Sequence, residues 1–130
     1  MKYGYTIFYV ENVEKTIQFY EKAFGFNRKF VTPEKDYGEL ISGATTIAFA
    51  SIDLGKSNFR NGFEKITNTG KPIGMEMAFI TETIEEDFRK AIEAGATKVE
   101  KIIKKPWGQQ VGYLRDNNGI LIELCTPIKN

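Results

Sequence analysis

The side chains able to do chemistry are few. The chain contains no histidine and one cysteine, and neither a glycine-rich phosphate cradle nor an activated serine or cysteine arrangement can be read from it. Catalysis, if there is any, must rest on glutamate, tyrosine or a bound metal. Among the carboxylates that fall inside strand-like runs are Glu76 in Glu76-Met77-Ala78-Phe79-Ile80 and Glu123 in Ile120-Leu121-Ile122-Glu123-Leu124. A carboxylate in a half-buried strand is costly unless it is solvated, paired or hydrogen-bonded, and two close together raise one pKa. Either the pair receives a cationic or hydrogen-bond-donating ligand, with one member available as a general base, or both are paired with internal Lys or Arg residues or remain wet. Trp107 offers a large flat surface to an aromatic or cationic ligand, or else braces the loop in which it sits.

Composition bounds the rest. At 130 residues, 42% hydrophobic and 13% aromatic, the chain has the length and apolar content of one ordinary domain, residues 1–130. Eighteen basic against 17 acidic residues leave a net charge of +1, without the basic face that nucleic acid recruits. No apolar run approaches the roughly 18 residues of a membrane span, and Met1-Lys2-Tyr3-Gly4 leads into a strand pattern, so a cytoplasmic protein is expected, with neither a nucleic-acid nor a membrane partner. Cys125 is most simply a small buried hydrophobe.

A repeated unit positions these residues. Tyr5-Thr6-Ile7-Phe8-Tyr9-Val10 reads as a strand, Asn12 as a helix cap, and Val13, Ile17, Tyr20 and Phe24 as one helix face closed by Gly25. The second half repeats this order. Residues 76–80 are strand-like, Thr83-Ile84-Glu85-Glu86 matches a capping box, Ile84, Phe88, Ala91 and Ile92 form a helix face, and Gly95 closes it. A shift of 71 places Phe8 on Phe79 and Glu11 on Glu82. Three further strands follow each helix, near 26–31, 37–41 and 45–51, then 98–104, 109–115 and 120–126. Each half is thus βαβββ, module 1 about 1–54 and module 2 about 73–130. A polar connection at about 55–72 joins them, and 52–72 has a composition that permits a short helix. Lysines from Lys98 to Lys105 fit an exposed edge strand, and Asp116-Asn117-Asn118-Gly119 a turn.

The order and spacing of three signals carry a resemblance. They are Tyr5-(x)4-Val10-Glu11-Asn12-Val13 leading to Phe19-Tyr20-(x)3-Phe24-Gly25-Phe26; Ala94-Gly95-Ala96; and Pro106-Trp107-Gly108 followed by Asp116-Asn117-Asn118-Gly119-(x)3-Glu123-Leu124. Across nearly its whole length the chain resembles the vicinal oxygen chelate superfamily, which holds glyoxalase I, bleomycin-resistance proteins and extradiol dioxygenases. The resemblance implies an α+β fold of two tandem βαβββ modules whose mixed sheets curl into a U-shaped trough, with helices outside and ligand inside. It also places the Pro106-Trp107-Gly108 corner at the trough edge.

Strand alternation then assigns faces. With Phe8 and Val10 under the first helix, Tyr5, Ile7 and Tyr9 face the trough; Ala48 lies inward between Ile47 and Phe49, and Glu76 and Glu123 face inward by the same parity. Tyr113 lines this wall or the outer face; parity leaves that open. In metal-dependent relatives four inward positions hold the ligands, and the resemblance puts these on Tyr5, about Ala48, Glu76 and Glu123. A transition metal usually takes three or four N, O or S donors, with imidazole preferred, so no metal site or cofactor is expected.

The leading expectation is a metal-independent small-molecule binding protein that sequesters an aromatic or amphiphilic ligand on Tyr5, Ile7, Tyr9, Ala48, Glu76, Trp107, Tyr113 and Glu123. The resemblance implies a homodimer. Two other readings stand: a glyoxalase-like lyase or isomerase with Glu123 or Glu76 as catalytic base or a divalent metal held on oxygen, and a non-catalytic scaffold whose trough is filled by its own side chains.

Overall fold

A computed structural model describes residues 1–129. The eight strands are β1 (Tyr5–Val10), β2 (Asn27–Val31), β3 (Tyr37–Ser42), β4 (Thr45–Ser51), β5 (Glu76–Ile80), β6 (Thr97–Lys104), β7 (Gln110–Arg115) and β8 (Leu121–Cys125). The helices are α1 (Val13–Phe24), α2 (Ile52–Asn58) and α3 (Ile84–Glu93). The fold is α+β and consists of two βαβββ modules, with sheet orders β1-β4-β3-β2 and β5-β8-β7-β6. Each sheet is mixed, because β1 runs parallel to β4 and β5 parallel to β8, whereas the remaining pairs are antiparallel. Two compact units result, one over residues 1–66 and one from Thr67 onward, so the 55–72 connection contributes to both.

In unit 1 the Asn12 side chain accepts from the Lys15 backbone N–H at the start of α1, and Gly25 ends the helix in the left-handed conformation at φ 72°. The buried stripe Val13, Ile17 and Tyr20 packs on the face of β4 and β3 that carries Ile47, Phe49 and Leu40. Tyr20 and Phe49 meet at 5.0 Å between ring centroids. Arg28 of β2 ties the sheet to α1 from outside, reaching Glu21 at 2.9 Å and Glu14 at 3.1 Å.

Unit 2 repeats the arrangement with Ile84, Phe88 and Ala91 of α3 buried with Leu114, Ile122 and Leu124. Ile92, expected on that face, is exposed, since it stands about 100° round the helix from Ala91. The capping box is likewise absent. Thr83 makes no side-chain cap bond, because its hydroxyl and that of Thr81 both donate to the Asp87 carboxylate. Gly38 and Gly112 occupy matching places, opposite Phe49 and Leu124. A Cβ would stand 3.3 Å from Ile17 in one and 2.8 Å from Phe88 in the other, so glycine lets each helix approach its sheet.

The start of the second unit is anchored by Arg115. Its buried guanidinium donates to the carbonyls of Gly119 at 3.1 Å, Gly70 at 2.7 Å and Thr67 at 2.8 Å. This draws the 67–70 segment onto the β7–β8 turn so tightly that a Cβ on Gly119 would stand 2.7 Å from the Asn68 Cα and collide with the Thr67 carbonyl. Gly119 also has φ 98°, whereas Gly43, at φ 55°, has open space around it. Gly43→Ala is expected to cost about 1 kcal/mol from backbone strain alone. Gly119→Ala, strained and colliding, should cost about 2 kcal/mol or more in urea denaturation; equal losses would contradict the packing of this segment.

Candidate functional site

The pleat of β8 sends Ile122 and Leu124 toward α3 and leaves Leu121, Glu123 and Cys125 on the other face. Register then sets Glu123 between Ala78 of β5 and Tyr113 of β7, with Glu76 one pleat back along β5, opposite Leu121. The Tyr113 hydroxyl donates to Glu123 Oε1 at 3.0 Å, so this tyrosine lies on the carboxylate side. Among the described residues neither Glu76 nor Glu123 is ion-paired with Lys or Arg. Instead the two glutamates interact with each other. Glu76 is exposed, and its carboxyl is raised above the usual carboxylate range by partial desolvation, by its hydrogen bond with Glu123 and by the charge of Glu123.

The same field acts on the neighbours. Burial, the bond to Glu123 and the charges of Glu123 and Glu76 push the Tyr113 phenol up to about 12. Burial and the same two carboxylates push the Cys125 thiol up to about 11. Cys125 is buried, so at neutral pH it is a protonated thiol facing a carboxylate cluster; it is not a nucleophile. Two acidic side chains so close together form an anionic, hydrogen-bond-accepting patch.

Trp107 lies in the β6–β7 connection and is 60% exposed, its indole N–H donating to Gln109 Oε1 at 2.9 Å. Gln109 in turn donates to the Thr126 carbonyl at 2.8 Å. Trp107 borders a cavity of about 340 Å³ shared with Glu82, Gln109, Thr126, Pro127 and Lys129.

In unit 1 Tyr5, Ile7 and Tyr9 share the face of β1 away from the buried Phe8 and Val10. Ala48 is fully buried between Ile7 and Glu39 and presents only a methyl group. Tyr9 is covered by the 52–66 segment, with Phe63 stacked at 4.7 Å and Phe59 edge-on at 6.0 Å. Gly55 makes this fit, since a Cβ there would come within 2.7 Å of both Tyr9 and Phe63.

A second tyrosine–carboxylate pair went unread in the sequence. Glu39 is the cross-strand partner of Ala48, and Tyr37, two residues earlier on β3, donates to Glu39 Oε2 at 2.6 Å. The alternation that marked Tyr5 and Ile7 applies equally to Tyr37-Gly38-Glu39 and was the signal available. Arg115 was unread too, because nothing local marks an arginine that binds carbonyls 45 and 48 residues away.

A search by family model matches residues 2–124 to the Glyoxalase/Bleomycin resistance protein/Dioxygenase superfamily. The chain belongs to that superfamily. The fold of this superfamily member is similar to that of a glyoxalase-related enzyme from Fulvimarina pelagi, with a TM-score of 0.79 at 15% identity over 98% of this chain and 88% of that one. It is also similar to a glyoxalase/bleomycin resistance protein/dioxygenase family enzyme from Burkholderia phytofirmans PsJN, with a TM-score of 0.80 at 18% identity over 95% and 96%. A superfamily member from Sphaerobacter thermophilus gives 0.70 at 23% identity over 98% of both chains. No curated protein matches. No helix of the described residues is long and apolar enough to cross a membrane.

The donor set of this superfamily member does not fit a transition metal. Among the described residues no group of three His, Cys, Asp or Glu side chains is placed to hold a metal ion, and the Cys125, Glu76 and Glu123 cluster has no imidazole.

Two measurements check the electrostatics. Glu123→Gln should lower the Tyr113 phenol from about 12 while burial keeps it above its ordinary value, read as a phenolate absorbance difference against Tyr113→Phe. The raised Glu76 carboxyl means that the folded chain holds its proton more tightly than the unfolded chain, so stability falls as pH rises from the ordinary carboxylate range through the raised value. Glu76→Gln should therefore melt higher than wild type at pH 7, with the difference closing toward about pH 4.

Proposed function

We infer that this chain is a small-molecule binding protein that takes a cationic or hydrogen-bond-donating ligand with an aromatic or amphiphilic body at Glu76 and Glu123, without a metal. The observation that carries this is the Glu76–Glu123 pair, two adjacent carboxylates that share a face with Tyr113 and have no basic side chain to neutralise them among the described residues. Tyr113 occupies one acceptor site of Glu123 and leaves others unused. A ligand cation would relieve the repulsion that raises Glu76 and gain charge-assisted hydrogen bonds. Apolar neighbours on this side, Ala78 and the 71% exposed Ile80, would cover the ligand body. Trp107 supplies a flat ring and a reporter.

The same raised carboxyl supports a second reading, in which Glu76 is the general base of a lyase or isomerase. Sequestration requires affinity alone and asks less of the site. The protein would act in the cytoplasm. A homodimer is part of the proposal: Tyr5 at 53% exposure and Ile41 at 51% leave apolar area that a second copy would cover. Light scattering in line with size exclusion should give twice the chain mass; a monomer at all concentrations would contradict the dimer.

Quenching of Trp107 by a panel of aromatic cations tests the binding reading. Affinity should rise with pH as Glu76 ionises, and Glu123→Gln should weaken it about tenfold or more, the scale of a charge-assisted hydrogen bond. Binding unchanged in Glu123→Gln would sink the reading. Turnover of an α-keto substrate that is lost in Glu76→Gln would favour the base instead.

A further inference from the structure

The Tyr37–Glu39 pair on unit 1 is held differently from the pair on unit 2. Between β2 and β3 the register slips by one residue: Arg28 opposes Leu40 and Phe30 opposes Glu39, leaving Lys29 as the extra residue of a bulge. A bulge re-aims the side chain it carries. Here it brings the Lys29 ammonium to 3.7 Å from Glu39 Oε1 while Tyr37 holds Oε2 at 2.6 Å. Phe30 lies beside them, its ring 5.9 Å from that of Tyr37 and 40% exposed. The Glu39 side chain is 13% exposed, whereas that of Lys29 is 58% exposed. A largely buried anion therefore faces an alkylammonium on an exposed stem, too far for a good hydrogen bond. The carboxylate is fixed and its cation is exchangeable. Burial, then Glu39 and Tyr5, keep the Tyr37 phenol above its usual range, so it remains a donor.

We propose that Tyr37, Glu39 and Phe30 form a binding site for the primary ammonium of an arylalkylamine, in which Lys29 is a built-in competitor that the ligand displaces. An ammonium would bond Glu39 where Lys29 now approaches it, and an aryl group two carbons away would lie against the exposed Phe30 ring, a contact that lysine cannot make. The site uses none of the residues of the Glu76–Glu123 pair, so the two readings fail separately.

The test is a titration of the full chain with phenethylammonium chloride, followed by backbone amide shifts. Wild type should show saturable shifts at Phe30, Tyr37 and Glu39. Lys29→Gln should bind about two- to fivefold tighter, the reach of an exposed ion pair. Glu39→Gln should bind about tenfold weaker or not at all, and Glu123→Gln should leave these shifts and this affinity unchanged. No saturable shift on β2 and β3, affinity unaltered in Glu39→Gln, or a Lys29→Gln variant that binds no tighter would each overturn the proposal. Lys29 is exposed, so its variant carries the test even where Glu39→Gln folds poorly.

Discussion

Everything at the candidate site depends on the register of the parallel strand pair that closes each unit. In the second unit Phe79 stands opposite Leu124 and Met77 opposite Ile122, so the apolar set of both strands faces α3. A slip of one residue would turn Ile122 and Leu124 outward and drive Glu123 beneath the helix, where no partner awaits it. Burial of the apolar face thus enforces the position of the carboxylate on the other. The first unit uses the same device, with Phe8 opposite Phe49 and Val10 opposite Ser51 beneath α1. Glycine at Gly38 and Gly112 completes it by letting each helix sit close enough to make the register worth holding.

Once the faces are fixed, the electrostatics follow from proximity. Glu76, Glu123, Tyr113 and Cys125 each carry a proton or a negative charge, and none is a cation. Their mutual repulsion is tolerable because Glu76 stays exposed to water while Tyr113 satisfies Glu123. The first unit resolves the same difficulty with a lysine on a bulge. Two units of one topology therefore hold a tyrosine-bound glutamate in two ways, one beside a second carboxyl and one beside an internal ammonium.

Much of this was legible in the chain. Period-two alternation identified the faces of β1, β4, β5 and β8 and hence the opposed roles of Glu123 and Leu124, and Asn12 and Gly25 marked the ends of α1. What escaped was set by long-range or competing contacts. Thr83 has the spacing of a capping box, yet Asp87 captures its hydroxyl, a choice between two local bonds that spacing does not decide. Tyr113 could not be assigned a face until its register against β8 was known. Lys29 reaches Glu39 only through a bulge, and the register of an edge strand is weakly written in its own residues. Arg115 binds carbonyls whose nearness is a product of the fold.

Glu123 raises the Glu76 carboxyl through a hydrogen bond and its charge, and a carboxyl-carbon NMR titration of Glu76 tests this most directly. In wild type Glu76 should titrate above the ordinary carboxylate range, and in Glu123→Gln it should fall back toward it, leaving only the contribution of partial desolvation. A Glu76 that titrates in the ordinary range in both proteins would contradict the account.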